Sequence, residues 1–295
     1  MAQDWKATFV AWSKPSSDHE ADKCDNTERR IREAIDASDW LKGKVSRVFA
    51  KGSYKNNTNV RLESDVDICV LANCRYWNST GVPDYKPSSS CSYTLADFRN
   101  EVGKALTKKF GTSGVTRGDK AFDVHETSTL VDADVVPCMG YRHYFDTSLT
   151  KFEDGTKFYS DSNVEIINWP DQQVTHGNAK NTATGNRFKF TTRAVKRLRN
   201  KMADEGIEAA DPIASYFIEC LMFNVPNESF GNSDFYDDVR LAVAHAWAET
   251  QDDARCTNWL EVNKRKWLFR DTQPWTREQA HSFLLAAWKY VGFSA

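Results

Sequence analysis

Between Ser64 and Leu71 the chain alternates, with carboxylates at Asp65 and Asp67 and bulky aliphatics at Val66, Ile68 and Val70. A period of two predicts a strand with one apolar and one polar face. The run "TLVDADVVPCM" repeats the pattern, with Asp132 and Asp134 set between Val131, Ala133 and Val135. Val45 to Ala50 predicts a short strand leading into Gly52-Ser53, and "KAFDVHE" predicts another. "FEDGTKFYS" has the pattern of a hairpin turning at Asp154-Gly155.

Helical spacing predicts the other elements. Asp18 to Leu41 carries Ile31, Ala34, Ile35 and Ser38 at that spacing and has Ser16 or Ser17 as a cap, a long and mostly solvated helix. Thr94 to Phe110 places Leu95, Phe98, Val102, Ala105 and Leu106 on one stripe and stops at Gly111. From about Asn186 the pattern is helical throughout: residues 187 to 202, then "DPIASYFIECLMFN" with Asp211 as N-cap and Pro212 at the first position, then "TREQAHSFLLAAWKYV" with the capping box Thr276 to Gln279. Between them "ANCRYWNSTGVPDYKPSSSCS", residues 72 to 92, lacks periodicity and predicts a surface loop. The expected fold class is α+β, a mixed sheet backed by helices followed by a helical lobe, divided near residues 165 and 166.

Composition narrows the function. With 39 basic and 41 acidic residues among 295, the net charge of -2 gives no general attraction for long nucleic acid. No apolar run reaches the length of a membrane span, and the N-terminus has no signal-peptide pattern, so the cytoplasm is the expected compartment. Seven scattered cysteines without a CxxC pair are expected to be reduced thiols, with no structural zinc.

The candidate chemistry sits on the alternating strands. Asp65 and Asp67 project from one face about 7 Å apart along the chain, where they repel unless a cation lies between them. A hard divalent ion such as Mg2+ meets that need; the alternative is a solvated strand end with Asp65 in a local turn. The second pair, Asp132 and Asp134, favours a shared two-metal site on one sheet face. Gly52-Ser53 offers backbone N–H groups and a hydroxyl to an anion, without the spacing of a P-loop. On the helix from 187 to 202, Lys189, Arg193, Lys196, Arg197 and Asn200 share one arc while Thr191, Val195, Leu198 and Met202 lie opposite, so one face is expected to pack and the other to meet a triphosphate.

Together "GSYKNNTNVRLESDVDICV" and "VDADVVPC" resemble the DNA polymerase β-like nucleotidyltransferase superfamily: Gly-Ser, then Asp-x-Asp, then a third carboxylate on a neighbouring strand. "HGNAKNTATGNRFKFTTRAVKRLRN" and "DPIASYFIECLMFNVPNESF" resemble the bacterial cGAS/DncV-like nucleotidyltransferases, the CD-NTases. The resemblance implies a polymerase-like lobe facing a helical lobe across a cleft, with the N-terminal helix bridging both. It also implies two Mg2+ ions, with Mn2+ as a substitute, joining ribonucleoside triphosphates (ATP, GTP, UTP or CTP) into a cyclic di- or trinucleotide that activates an antiphage effector. By the same resemblance Asp65, Asp67 and Asp134 are the metal ligands, with Asp132 as a possible support. Gly52 and Ser53 hold the donor triphosphate, and Lys196 and Ser215 contact phosphates. Lacking a Cys/His zinc insertion, the chain departs from animal cyclic GMP-AMP synthase, and a monomer without long nucleic acid is expected. A nucleotidyltransferase making linear products or modifying RNA, protein or a small molecule, and a silent nucleotide-binding scaffold, stay open at this point.

Overall fold

The computed structural model of the chain describes residues 3–15, 17–60, 65–270 and 273–294. Its elements begin with α1 (Trp5–Trp12), α2 (Asp18–Asp36), β1 (Val45–Ala50), the one-turn α3 (Gly52–Lys55), β2 (Val66–Ser79), the two-residue β3 (Ser88–Ser89) and α4 (Leu95–Phe110). Then come β4 (Val115–Arg117), β5 (Phe122–Val124), β6 (Ala133–Tyr144), β7 (Phe152–Tyr159) and β8 (Glu165–Asn168). The last elements are α5 (Pro170–Ala183), α6 (Arg187–Asp204), α7 (Ser215–Asn224), α8 (Phe235–Glu249), α9 (Asp253–Cys256) and α10 (Arg277–Val291).

Two units divide the chain. A sheet unit comprises Ser17–Tyr54 and Glu63–Pro170; a helical unit comprises Met1–Ser16, Lys55–Leu62 and Asp171–Ala295. The two short early segments thus join the helical unit, one because Phe9 is buried in its core and the other through hydrogen bonds described below.

In the sheet unit the main path runs β1-β2-β6-β5-β4, with β3 on β2, and β7 pairing with β6 and β8. β2 and β6 are parallel and the other pairings antiparallel, which makes the sheet mixed. Alternation sends Val66, Ile68 and Val70 into one core with Ile31 and Ile35 of α2 and Phe98, Val102 and Leu106 of α4. The apolar stripe of α2 is therefore buried, although the flanking positions are charged. Ser17 caps that helix by accepting from the Glu20 N–H, and Thr94 with Asp97 forms a capping box on α4. Ser16, Ser64 and the stretch 61–64 lie outside the described residues.

Three readings of the pattern are corrected here. First, β2 does not stop at Leu71: it continues to Ser79 alongside β6, and what looked like one loop holds eight strand residues and β3. That pairing draws Cys74 and Cys91 to a Cα separation of 5.0 Å, where they form a disulfide, so these two cysteines are not the reduced thiols expected. Second, Asp154-Gly155 is not a turn but mid-strand in β7, paired with Arg142 and Tyr141. The Trp169 ring and the Asn168 carbonyl pack where a Gly155 side chain would go, which explains the glycine without a turn. Third, Asp211-Pro212 follows a short 3-10 turn, and α7 starts only at Ser215.

The helical unit packs Phe188, Leu198 and Met202 of α6, Phe217 and Leu221 of α7, Val239 and Val243 of α8 and Phe283 and Leu284 of α10 around one core. Phe217 stacks on Trp275 at 4.9 Å. Thr276 and Gln279 form the expected capping box on α10. α5, too polar all round to declare itself by periodicity, was not foreseen.

Candidate active site

Strand register builds the acidic centre. Asp67 of β2 lies directly beside Asp134 of β6, and β5, antiparallel to β6, sets Asp123 on the other side of Asp134. Facing residues of paired strands share a face, so these carboxylates form a row on the face opposite the α2 and α4 core, to which their neighbours Val66, Ile68, Phe122, Val124 and Val135 belong. Lys51 extends the row from the far side. Its backbone N–H donates to the Asp67 carbonyl at 2.8 Å and its ammonium to Asp67 Oδ1 at 3.1 Å.

Asp65 stands exposed one residue ahead of β2. Partial burial and the charges of Asp132, Asp67 and Asp123 push its carboxyl above the ordinary range. Asp134 is pushed up to about 6, first by burial, then by a hydrogen bond with Asp123 and the charges of Asp67, Asp123 and Asp65. For Lys51, burial works to lower the ammonium, yet Asp67 above all, with Cys69 and Cys138, leaves it above its usual value. Asp132 has a different occupation: its Oδ1 accepts the Glu126 N–H at 2.7 Å and its carbonyl accepts the Val66 N–H at 3.0 Å. Asp134, preferred over Asp132 for the third carboxylate, is the one registered with Asp67.

The Gly-Ser pair opens α3. Gly52 has a φ of 67°, and a Cβ on it would overlap the Asp67 carboxylate. Ser53 is half-buried, and its hydroxyl has no hydrogen-bond partner among the described residues.

A hard divalent ion fits this donor set. The side chains are all carboxylate, burial and then their mutual repulsion raise two of them, and a cation, the Lys51 ammonium, already sits on one. Among the described residues no three metal-binding side chains converge as a ready cage. That is compatible with Mg2+, which completes its shell with water and substrate phosphate oxygens.

The cations of α6 are placed otherwise than expected. Of the arc read as open and basic, Lys189, Arg193 and Lys196 are buried and Arg197 and Asn200 half-buried. Lys189 donates to Asn178 Oδ1 at 2.6 Å, and Arg193 donates to the carbonyls of Ser13 at 2.7 Å and Asn57 at 2.5 Å. Lys196 donates to the Thr58 carbonyl at 3.0 Å and pairs with Glu219 at 3.4 Å. Burial lowers all three, Arg193 to about 10. Glu219, fully buried, also accepts from Asn56, Thr58 and, at 3.1 Å, Gln173. Ser215, at the first turn of α7, accepts from Arg199 at 2.8 Å.

Residues 175–292 match the C-terminal helical domain of cGAS/DncV-like nucleotidyltransferases. Over 296 residues the chain is 44% identical to a cyclic dipyrimidine nucleotide synthase CdnE of Legionella pneumophila, covering 99% of each. The chain belongs to the CD-NTase family. A second cyclic dipyrimidine nucleotide synthase CdnE, from Cecembia lonarensis, is 36% identical and covers 99% of this chain and 100% of that protein. Among solved structures, the Elizabethkingia meningoseptica CdnE cyclic dinucleotide synthase with GTP and Apcpp superimposes with a TM-score of 0.81 at 32% identity, covering 98% of this chain and 99% of that one.

This CD-NTase carries three residues at or near the candidate machinery that the sequence reading passed over. Asp123 had a signal, since Phe122 and Val124 flank it in the same alternation as the other carboxylates. Lys51 had only its place before Gly52. Glu219 had none, because a lone acid in an apolar helix does not announce its partners. No helix among the described residues is long and apolar enough to cross a membrane.

Proposed function

We propose that this CD-NTase joins two pyrimidine ribonucleoside triphosphates into a cyclic dinucleotide with release of pyrophosphate. The observation that carries the reaction is the row of Asp67 and Asp134 beside Asp65, with Gly52-Ser53 packed against Asp67. The base preference is carried by full-length likeness to two synthases named for dipyrimidine products.

Asp65, Asp67 and Asp134 would hold two Mg2+ ions, with Mn2+ as a substitute. Such a pair supplies an acidified ribose hydroxyl and neutralises charge on the departing pyrophosphate. The chain's own contribution is position. Gly52 lets the backbone approach the donor phosphates, and the Ser53 hydroxyl is available to donate to one of their oxygens. The acceptor hydroxyl loses its proton to solvent as its oxygen attacks the α-phosphorus in line, the bond to the α,β-bridging oxygen breaks, and pyrophosphate leaves. A second transfer, after the linear intermediate turns round, closes the ring.

Ser215 is assigned to the phosphates as well. Arg193 and Lys196 are assigned an indirect part: they hold the carbonyls of Asn57 and Thr58, in the segment that follows α3, while Lys189 is assigned to holding Asn178 of α5. The protein is taken to act as a cytoplasmic monomer whose product is read by a separate antiphage effector.

The test is incubation with all four ribonucleoside triphosphates and Mg2+, phosphatase treatment, and mass spectrometry of the resistant products, with Asp134→Asn as control. A phosphatase-resistant cyclic product containing only pyrimidines, lost in the control, is the expected result. Linear products overturn cyclisation, and a purine-containing ring overturns the base assignment alone.

A further inference from the structure

The reaction proposed above leaves Lys51 without a role. Its side chain is 16% exposed, and among the described residues Asp67 is the carboxylate it pairs with. The dipeptide Lys51-Gly52 meets both oxygens of Asp67: the ammonium holds Oδ1, and Oδ2 occupies the place a side chain on Gly52 would take. Backbone pairing sets Lys51 opposite Asp67, because the Lys51 N–H donates to the Asp67 carbonyl in continuation of the β1–β2 ladder. The Lys51 backbone is thereby held beside Asp67, while its side chain is free to exchange Asp67 Oδ1 for another anionic partner.

We infer that Lys51 makes metal loading depend on the triphosphate: its ammonium holds the oxygen of Asp67 that a divalent ion needs, and the ion takes it when nucleotide phosphates arrive. This rests on the metal reading of Asp65, Asp67 and Asp134. A dication on Asp67 would lie within a few ångströms of an ammonium that is largely shielded from water, and like charges at that range repel strongly. Phosphates seated on Gly52-Ser53, the next two residues, bring the negative charge that offsets both cations and give Lys51 a new partner. By linkage, nucleotide then tightens metal and metal tightens nucleotide by the same factor. A lysine serving only to neutralise the acidic row would show no such coupling to nucleotide.

Calorimetric titration of Mn2+ into the full chain tests this, with and without a non-hydrolysable pyrimidine triphosphate analogue, for wild type, Lys51→Met, Lys51→Gln, Lys51→Arg and Asp134→Asn. Thermal melts check that each variant is folded. Expected is Mn2+ binding at least about tenfold tighter without nucleotide in the two neutral variants, with a correspondingly smaller gain from the analogue, while Lys51→Arg keeps the wild-type coupling. Saturable binding in wild type that Asp134→Asn loses but both neutral variants leave unchanged overturns the inference alone. Wild type without saturable Mn2+ binding even beside the analogue overturns the metal reading and this inference with it.

Discussion

Gly52 lies so close to Asp67 that the carboxylate occupies the place of its missing side chain. Its φ of 67° also lies in the left-handed region, so the glycine is required twice, by conformation and by contact. Gly52→Ala is expected to cost about 1–2 kcal/mol in backbone strain and to displace the Asp67 carboxylate. Nucleotidyl transfer should fall by about a hundredfold or more, a loss of about 3 kcal/mol in transition-state stabilisation. Steady-state pyrophosphate release, read beside a melting curve, checks this; near-normal turnover in a folded variant would remove Gly52 from the site.

Asp67→Asn and Asp134→Asn keep shape and remove charge. Each is expected to lower turnover by about 10²–10⁴-fold, the several kcal/mol that metal-borne charge stabilisation supplies. The analogous change at Asp132, whose carboxylate is engaged by the Glu126 N–H, should act on local stability far more than on turnover. Product formation by all three variants under identical conditions separates them, and equal loss at Asp132 would reopen the choice of third ligand.

Metal binding should be pH-dependent through Asp134. Its folded value is raised to about 6, above that of an unfolded carboxylate, so its stabilising contribution is present at low pH and is lost as pH rises through 6. A dication relieves that loss by binding the ionised form, and below about pH 6 protons compete with it by up to about tenfold per unit. The rise in melting temperature given by Mn2+ beside a triphosphate analogue should therefore be larger at about pH 7.5 than at about pH 5. A rise independent of pH would contradict the coupling.

Lys196 and Glu219 form a fully buried pair in the helical unit. Glu219→Ala leaves a buried ammonium without its carboxylate and frees Asn56 and Thr58, and a loss of about 3–5 kcal/mol is expected. Lys196→Met combined with Glu219→Leu removes both charges and should cost distinctly less. Urea denaturation of the two proteins makes the comparison. Equal losses would mean that the pair is solvated in the native state.

Period-two alternation determined the strands that carry Asp67 and Asp134, and the cap residues Thr94 and Thr276 determined helix starts, because these are local preferences written within a few residues. The Gly-Ser and Asp-x-Asp spacing likewise made the site class legible. Tertiary structure decided the rest. Periodicity assigns Lys189, Arg193 and Lys196 to one face of a helix, yet Arg193 and Lys196 are met there by the carbonyls of Ser13, Asn57 and Thr58, remote in the chain, which no composition reveals. The same holds for Asp123 beside Asp134 and Lys51 on Asp67: each partnership is made by strand register, and register is a property of two segments together rather than of either alone.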